Sequence, residues 1–209
     1  MKKGIIVNLR PLKLLNYVKL NKTFMALGLL FIVGVIVGSV WLTQNSWLTD
    51  ITKSFLESFI SLHKNASFFS KLYSSSIKYV VILILYFVTG TSMFGVAVTP
   101  FILTWQAIIT GNIVSLLYSQ YSLHGIAFNA IILIPPCSIF TVCCFFAAKY
   151  AIEFSLNIAK TTMPNSRPIT LHNYFKEYCI KYLIILSITI VCALIEIILN
   201  ILFLNFFNF

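Results

Sequence analysis

The 209-residue chain is 59% hydrophobic and 10% charged, with fifteen Lys and Arg against five Asp and Glu for a formal net charge of +10. An average soluble domain is roughly 25% charged, so a water-soluble core is excluded. The basic residues flank apolar runs and form no stripe on a folded domain, so lipid and not nucleic acid is the expected partner.

Residues 1–23 form a basic segment carrying Lys2, Lys3, Arg10, Lys13, Lys19 and Lys22 with no acidic residue, which predicts a cytoplasmic amino end by the positive-inside rule. Within it, Leu12 to Leu20 reads as an interfacial anchor aided by anionic lipid. The first span is expected at 24–42; it is longer than the apolar region of a signal peptide and is expected to be retained. Gly34 and Gly38 in it make a GxxxG pair suited to close helix packing. In the outer loop, 43–78, Leu48, Ile51, Phe55 and Phe59 recur at helical spacing with Asp50, Lys53 and Glu57 between them. This predicts an outer amphipathic helix, either resting on the bilayer surface or serving as a docking face for another protein.

From Tyr79 to Ala148 seventy residues pass without one Asp, Glu, Lys or Arg. As one helix they would run about 105 Å at ~1.5 Å per residue, against a hydrocarbon core of ~30 Å, so three crossings are expected, at 79–98, 100–117 and 126–148. Pro100, which lacks an amide donor and disfavours a helical Thr99, is expected to break the first from the second; the polar run Gln120 to Gly125 is expected to turn the second into the third. Gly90, Gly95 and Gly111 are read as close-packing positions. Pro135, followed by Pro136, is read as a kink whose freed carbonyls must be satisfied inside the protein. A cytoplasmic loop is expected at 149–181, with Lys149, Lys160, Arg167, Lys176 and Lys181, and a fifth span at 182–204. The reading is thus all-α: a polytopic bundle of about five spans in a single membrane domain, 24–205, in the cell membrane with its carboxyl end outside.

The inventory for chemistry is thin. Asp50 is the one Asp in the chain, the three His fall at 63, 124 and 172, and no HExxH, P-loop or Gly-x-Ser-x-Gly pattern occurs. No catalytic, metal-ligating or cofactor-binding residue is assigned, no cofactor is expected, and the protein is read as not an enzyme. The five Cys, all in or beside spans, read as small apolar filler. Glu196 alone among the acids lies deep in a span, where insertion costs up to ~3 kcal/mol. No Lys or Arg lies in a predicted span to pair with it, so it is expected to face protein as the neutral acid. Asn200, Gln106, Asn112 and Asn129 are its expected partners. This candidate polar site is either interhelical glue worth ~1 kcal/mol or the relay of a small transporter or exporter component.

The basic amino end, Gly34 to Gly38, Gly90 and Gly95 before Pro100, then Thr110, Gly111, Asn112, the Gly125 turn, Ile134 with Pro135, and Glu196 near the end follow one another in an order that resembles the stage II sporulation protein M family. The resemblance covers nearly the whole chain. It implies a five-span, non-enzymatic membrane scaffold that anchors peptidoglycan hydrolases, a lytic transglycosylase and an amidase, for septal wall thinning and engulfment during sporulation. Self-association is left open by the sequence.

Overall fold

A computed structural model describes residues 22–42, 50, 53–54, 68–162 and 171–203. Every element longer than one turn in it is helical: α1 (Lys22–Leu42), α2 (Phe68–Thr91), α3 (Gly95–Phe128), a π-turn (Asn129–Leu133), α4 (Ile134–Thr162) and α5 (Leu171–Phe203). All five α-helices are long and apolar enough to cross a bilayer. The expected docking residues Leu48, Ile51, Phe55 and Phe59 lie outside the described residues.

Side-chain contacts fix the sense of each helix. Lys78 meets Glu196 and Phe87 meets Tyr178, so α2 and α5 are antiparallel. Tyr79 packs on Phe140 and Gly90 on Ala151, so α2 and α4 are parallel, while Gly34 and Gly38 face Thr104 and Ile108, which makes α1 and α3 parallel. Tyr86 of α2 meets Gln106 of α3 on either side of the short turn that joins them, so these two are antiparallel and the five helices alternate in direction, as five successive crossings require. The core lies among α2, α4 and α5, where Tyr178 stacks between Phe87 and Phe154 with ring centroids 5.1 and 4.5 Å away. Tyr178 donates its hydroxyl to the Phe87 carbonyl at 3.0 Å, and Tyr182 donates to that of Ala147 at 2.8 Å. These tyrosines contribute apolar area while their hydroxyls are satisfied, the condition for burying them.

The turn between α2 and α3 differs from the sequence expectation. The chain breaks at Ser92 to Phe94, and Pro100 sits inside α3 as its sixth residue. Pro100 costs α3 one ladder bond, to the Val96 carbonyl, without ending the helix, as is usual for Pro in membrane helices, whereas the actual turn has its own supports. The Ser92 hydroxyl accepts from the Phe94 amide at 3.3 Å. Ser155 of α4, fully buried, donates to the carbonyls of Ser92 and Met93 at 2.7 and 3.2 Å. Gly95 is needed there because a Cβ would collide with the Thr89 carbonyl oxygen.

Backbone helicity runs unbroken from Gly95 to Thr162, yet Gln106 contacts Cys144 at 3.5 Å. A straight helix would hold these residues about 57 Å apart, so the chain folds back between them, and Ile113 and Leu133 line one cavity on either side of the reversal. The π-turn ends one residue before the Pro135–Pro136 pair. Two consecutive residues without an amide proton leave the ladder two donors short, and the register widens there: Ile134 donates to the Asn129 carbonyl, five residues back. The Cys192 thiol of α5 donates to the Pro136 carbonyl at 2.9 Å.

Helices also extend past the expected spans. Residues 68–78, 149–162 and 171–181, expected in loops, are helical, because apolarity marks where lipid begins and not where hydrogen bonding starts.

Candidate functional site: a buried carboxyl held by one face of α2

Ser75, Lys78 and Tyr79 are spaced i, i+3, i+4, which places all three on one face of a helix. Because α2 starts at Phe68, that face is formed well before the charge-free stretch begins, and it lies against Glu196 of α5. Glu196 is 1% exposed. Its Oε1 accepts from Lys78 Nζ at 2.5 Å and from Ser75 Oγ at 3.3 Å, and its Oε2 accepts from Tyr79 Oη at 2.5 Å. The Lys78 ammonium also stands 5.1 Å from the Tyr79 ring centroid. Lys78 is about a third exposed, so the pair has one buried and one half-buried end.

The expectation that Glu196 would find no cation is corrected by this geometry. In the sequence Lys78 reads as a loop residue because it falls one position before the apolar run, and a run of three serines, Ser74 to Ser76, argues locally for a loop. Packing against α5 overrides that preference. The recognisable signal was the spacing of Ser75, Lys78 and Tyr79 on one helical face opposite a lone carboxyl.

The four residues read as one polar site are not hydrogen-bonded to one another. Gln106 accepts from the fully buried Tyr86 hydroxyl at 3.5 Å and donates to Cys144 Sγ. Asn112 is buried, and its Oδ1 has no hydrogen-bond partner among the described residues. Asn129 is buried and opens the π-turn. Asn200 donates to the backbone carbonyl of Glu196 at 2.8 Å, not to its carboxyl. Among the described residues no group of three His, Cys, Asp or Glu is placed to hold a metal ion.

The glycines singled out from the sequence sit at backbone-to-backbone approaches. A Cβ on Gly90 would collide with the Tyr178 hydroxyl and come within 2.8 Å of Ala151 Cα; one on Gly34 would lie 2.7 Å from Ala107 Cβ. Gly38 and Gly111 are blocked by the carbonyl oxygens of Ile108 and Val35, each on the opposing helix.

The carboxyl cluster can be tested by removing one oxygen. Tyr79→Phe keeps the ring against Phe140, whose centroid is 4.4 Å away, and deletes a charge-assisted bond worth about 1.5–3 kcal/mol. The expected result is a loss of that size in the unfolding free energy in detergent micelles; an unchanged value would mean the Tyr79 hydroxyl does not hold Glu196.

At the opposite end of the bundle, α4 and α5 carry two i,i+4 ion pairs, Lys149–Glu153 at 3.8 Å and Lys181–Glu177 at 2.7 Å. Lys181 also lies over the Tyr150 ring, 4.8 Å from its centroid.

Comparison with known proteins returns one family, described as Stage II sporulation protein M, over residues 27–199. No curated protein and no solved structure matches the chain. The matched region takes in all five membrane helices, from Leu27 of α1 to Leu199 of α5, together with the cluster around Glu196. With that match over most of its length, this multi-pass helical membrane protein belongs to the stage II sporulation protein M family of sporulation membrane proteins.

Proposed function

We propose that this protein is a non-enzymatic membrane scaffold that anchors and localises peptidoglycan-degrading enzymes, a lytic transglycosylase and an amidase, for septal wall thinning and engulfment during sporulation. The observation that carries this reading is the closure of Glu196 by three donors of α2. The one acid deep in a span is spent on holding two helices together, as a rigid anchor requires, and Gln106 is likewise occupied by Tyr86 and Cys144. A transporter relay needs a carboxyl that can exchange partners across the bilayer, which this arrangement does not favour.

The amino end is cytoplasmic and the carboxyl end of α5 outside in this proposal. Its support is the lysine distribution: Lys22, Lys149, Lys160, Lys176 and Lys181 gather at one end of the bundle, while Lys71 and Lys78 lie toward the other, in keeping with the positive-inside rule. The loop joining α1 to α2 then faces the wall, and its apolar residues Ile51, Phe55 and Phe59 are the docking face.

Replacing Ile51, Phe55 and Phe59 together with Ser is expected to leave the protein in the membrane fraction while abolishing co-purification of wall hydrolases. Hydrolases retained by the triple variant would overturn the docking face. Their absence from the unsubstituted protein, isolated from sporulating cells, would overturn the scaffold itself.

A further inference from the structure

A cavity of about 330 Å³ lies between α2, α3 and α4, and its walls include Ile82, Trp105, Ile109, Leu133 and Phe140. It is open sideways, because Leu85, Trp105 and Ile109 on its rim are 48%, 57% and 42% exposed, and in a bilayer that exposure faces lipid. Away from the Lys78 and Tyr79 end, its polar groups are already engaged: Gln106 as described, and Thr110, whose hydroxyl donates to the Gln106 carbonyl at 2.9 Å. The remaining walls are apolar, and empty space beside them forfeits contact energy.

The cavity has a polar end and a depth. Along α3 it runs from Ile102 to Ile113, about 16 Å at ~1.5 Å per residue, which is about half of the ~30 Å hydrocarbon core and so the depth of one leaflet. Lys78 lines it at the end where the charge-free stretch starts, the level at which a lysine reaches the headgroup layer. Glu196 does not line the cavity. From inside, an occupant meets the ammonium and the Tyr79 side chain, with the counter-charge behind them.

We infer that this cavity is a binding site for one anionic phospholipid, with an acyl chain between α2, α3 and α4 and the headgroup phosphate on Lys78. The chain replaces contacts that the three helices do not make with one another. The phosphate adds a second anion to an ammonium already held by Glu196, so the lipid and the ion pair brace the same end of α2.

Native mass spectrometry of the purified protein, with phosphatidylglycerol or phosphatidylcholine of identical acyl chains added, tests the assignment. Retention of phosphatidylglycerol above phosphatidylcholine is expected, by less than the about fivefold of an unpaired surface lysine because Glu196 already holds the ammonium, falling to no preference in Lys78→Gln. Because that variant also disturbs Glu196, Ile109→Trp provides the independent arm: it fills the cavity from α3, leaves Lys78 and Glu196 intact, and is expected to lose both lipids. Equal retention of the two headgroups by the unsubstituted protein, or undiminished phosphatidylglycerol binding by Ile109→Trp, would overturn the site.

Discussion

Lys78→Ala is expected to lower the unfolding free energy in detergent micelles by about 3 kcal/mol, the lower part of the range for breaking a buried ion pair. The asymmetry of the pair sets the size. Lys78 is about a third exposed and can be removed without stranding another cation, but Glu196 is 1% exposed and would remain behind with Ser75 and Tyr79 as its donors. Two neutral donors recover part of what the ammonium supplied, which is why the upper end of the range is not reached. Glu196→Leu alone should cost less, since the lysine left over is about a third exposed and long enough to reach the headgroup layer. The double variant Lys78→Met with Glu196→Leu should return to within about 1 kcal/mol of the unsubstituted protein, because well-packed apolar groups replace a buried ion pair at little or no net loss. A double variant as unstable as Lys78→Ala would mean that the pair acts through something other than its two charges.

This expectation was not accessible from hydropathy. A charge-free stretch from Tyr79 to Ala148 announces lipid and counts crossings well, since each charge excluded from the hydrocarbon is worth several kcal/mol. The five-helix architecture follows from that signal and from the basic segments around it. Helix ends carry no such penalty. α2 begins eleven residues before the apolar run, at Phe68, and α4 and α5 run on past Lys149 and start before Lys181, so the loops are shorter than apolarity suggests. Pro100 misled for a related reason: inside a membrane helix a proline removes one ladder bond without having to end the helix. The sequence-level partners for Glu196 were sought among amides inside spans, whereas the true partners sit at the span boundary, where a serine run hides a helical face. Asn112 is buried and Gln106 half-buried, but which helix such an amide faces is a property of packing that periodicity does not carry.

The glycines supply the second large effect, and they carry their own control. α1 contacts α3 along Gly34, Gly38 and Gly111, with Phe24 and Phe31 reaching Phe145 on α4 at 5.5 and 5.4 Å between ring centroids. At Gly38 a Cβ would overlap the Ile108 carbonyl oxygen and lie 2.8 Å from Ile108 Cα; at Gly111 it would overlap the Val35 carbonyl and lie 3.0 Å from the Ser39 amide nitrogen. Both obstacles are backbone, which cannot rotate aside as a side chain can, so the helices must separate. Gly38→Leu is therefore expected to cost about 3 kcal/mol, the upper part of the usual overpacking range, and to release α1 from α3 while α2, α4 and α5 stay together. A cysteine pair placed across the α1–α3 contact should lose its cross-linking yield in the same variant. Gly28, one further residue of α1, has nothing within 4 Å of the position its Cβ would take. Gly28→Ala should therefore leave stability unchanged or raise it by up to ~1 kcal/mol through helix propensity. If Gly28→Ala and Gly38→Ala proved equally harmless, direct contact between the two backbones could not be what holds the first span to the bundle.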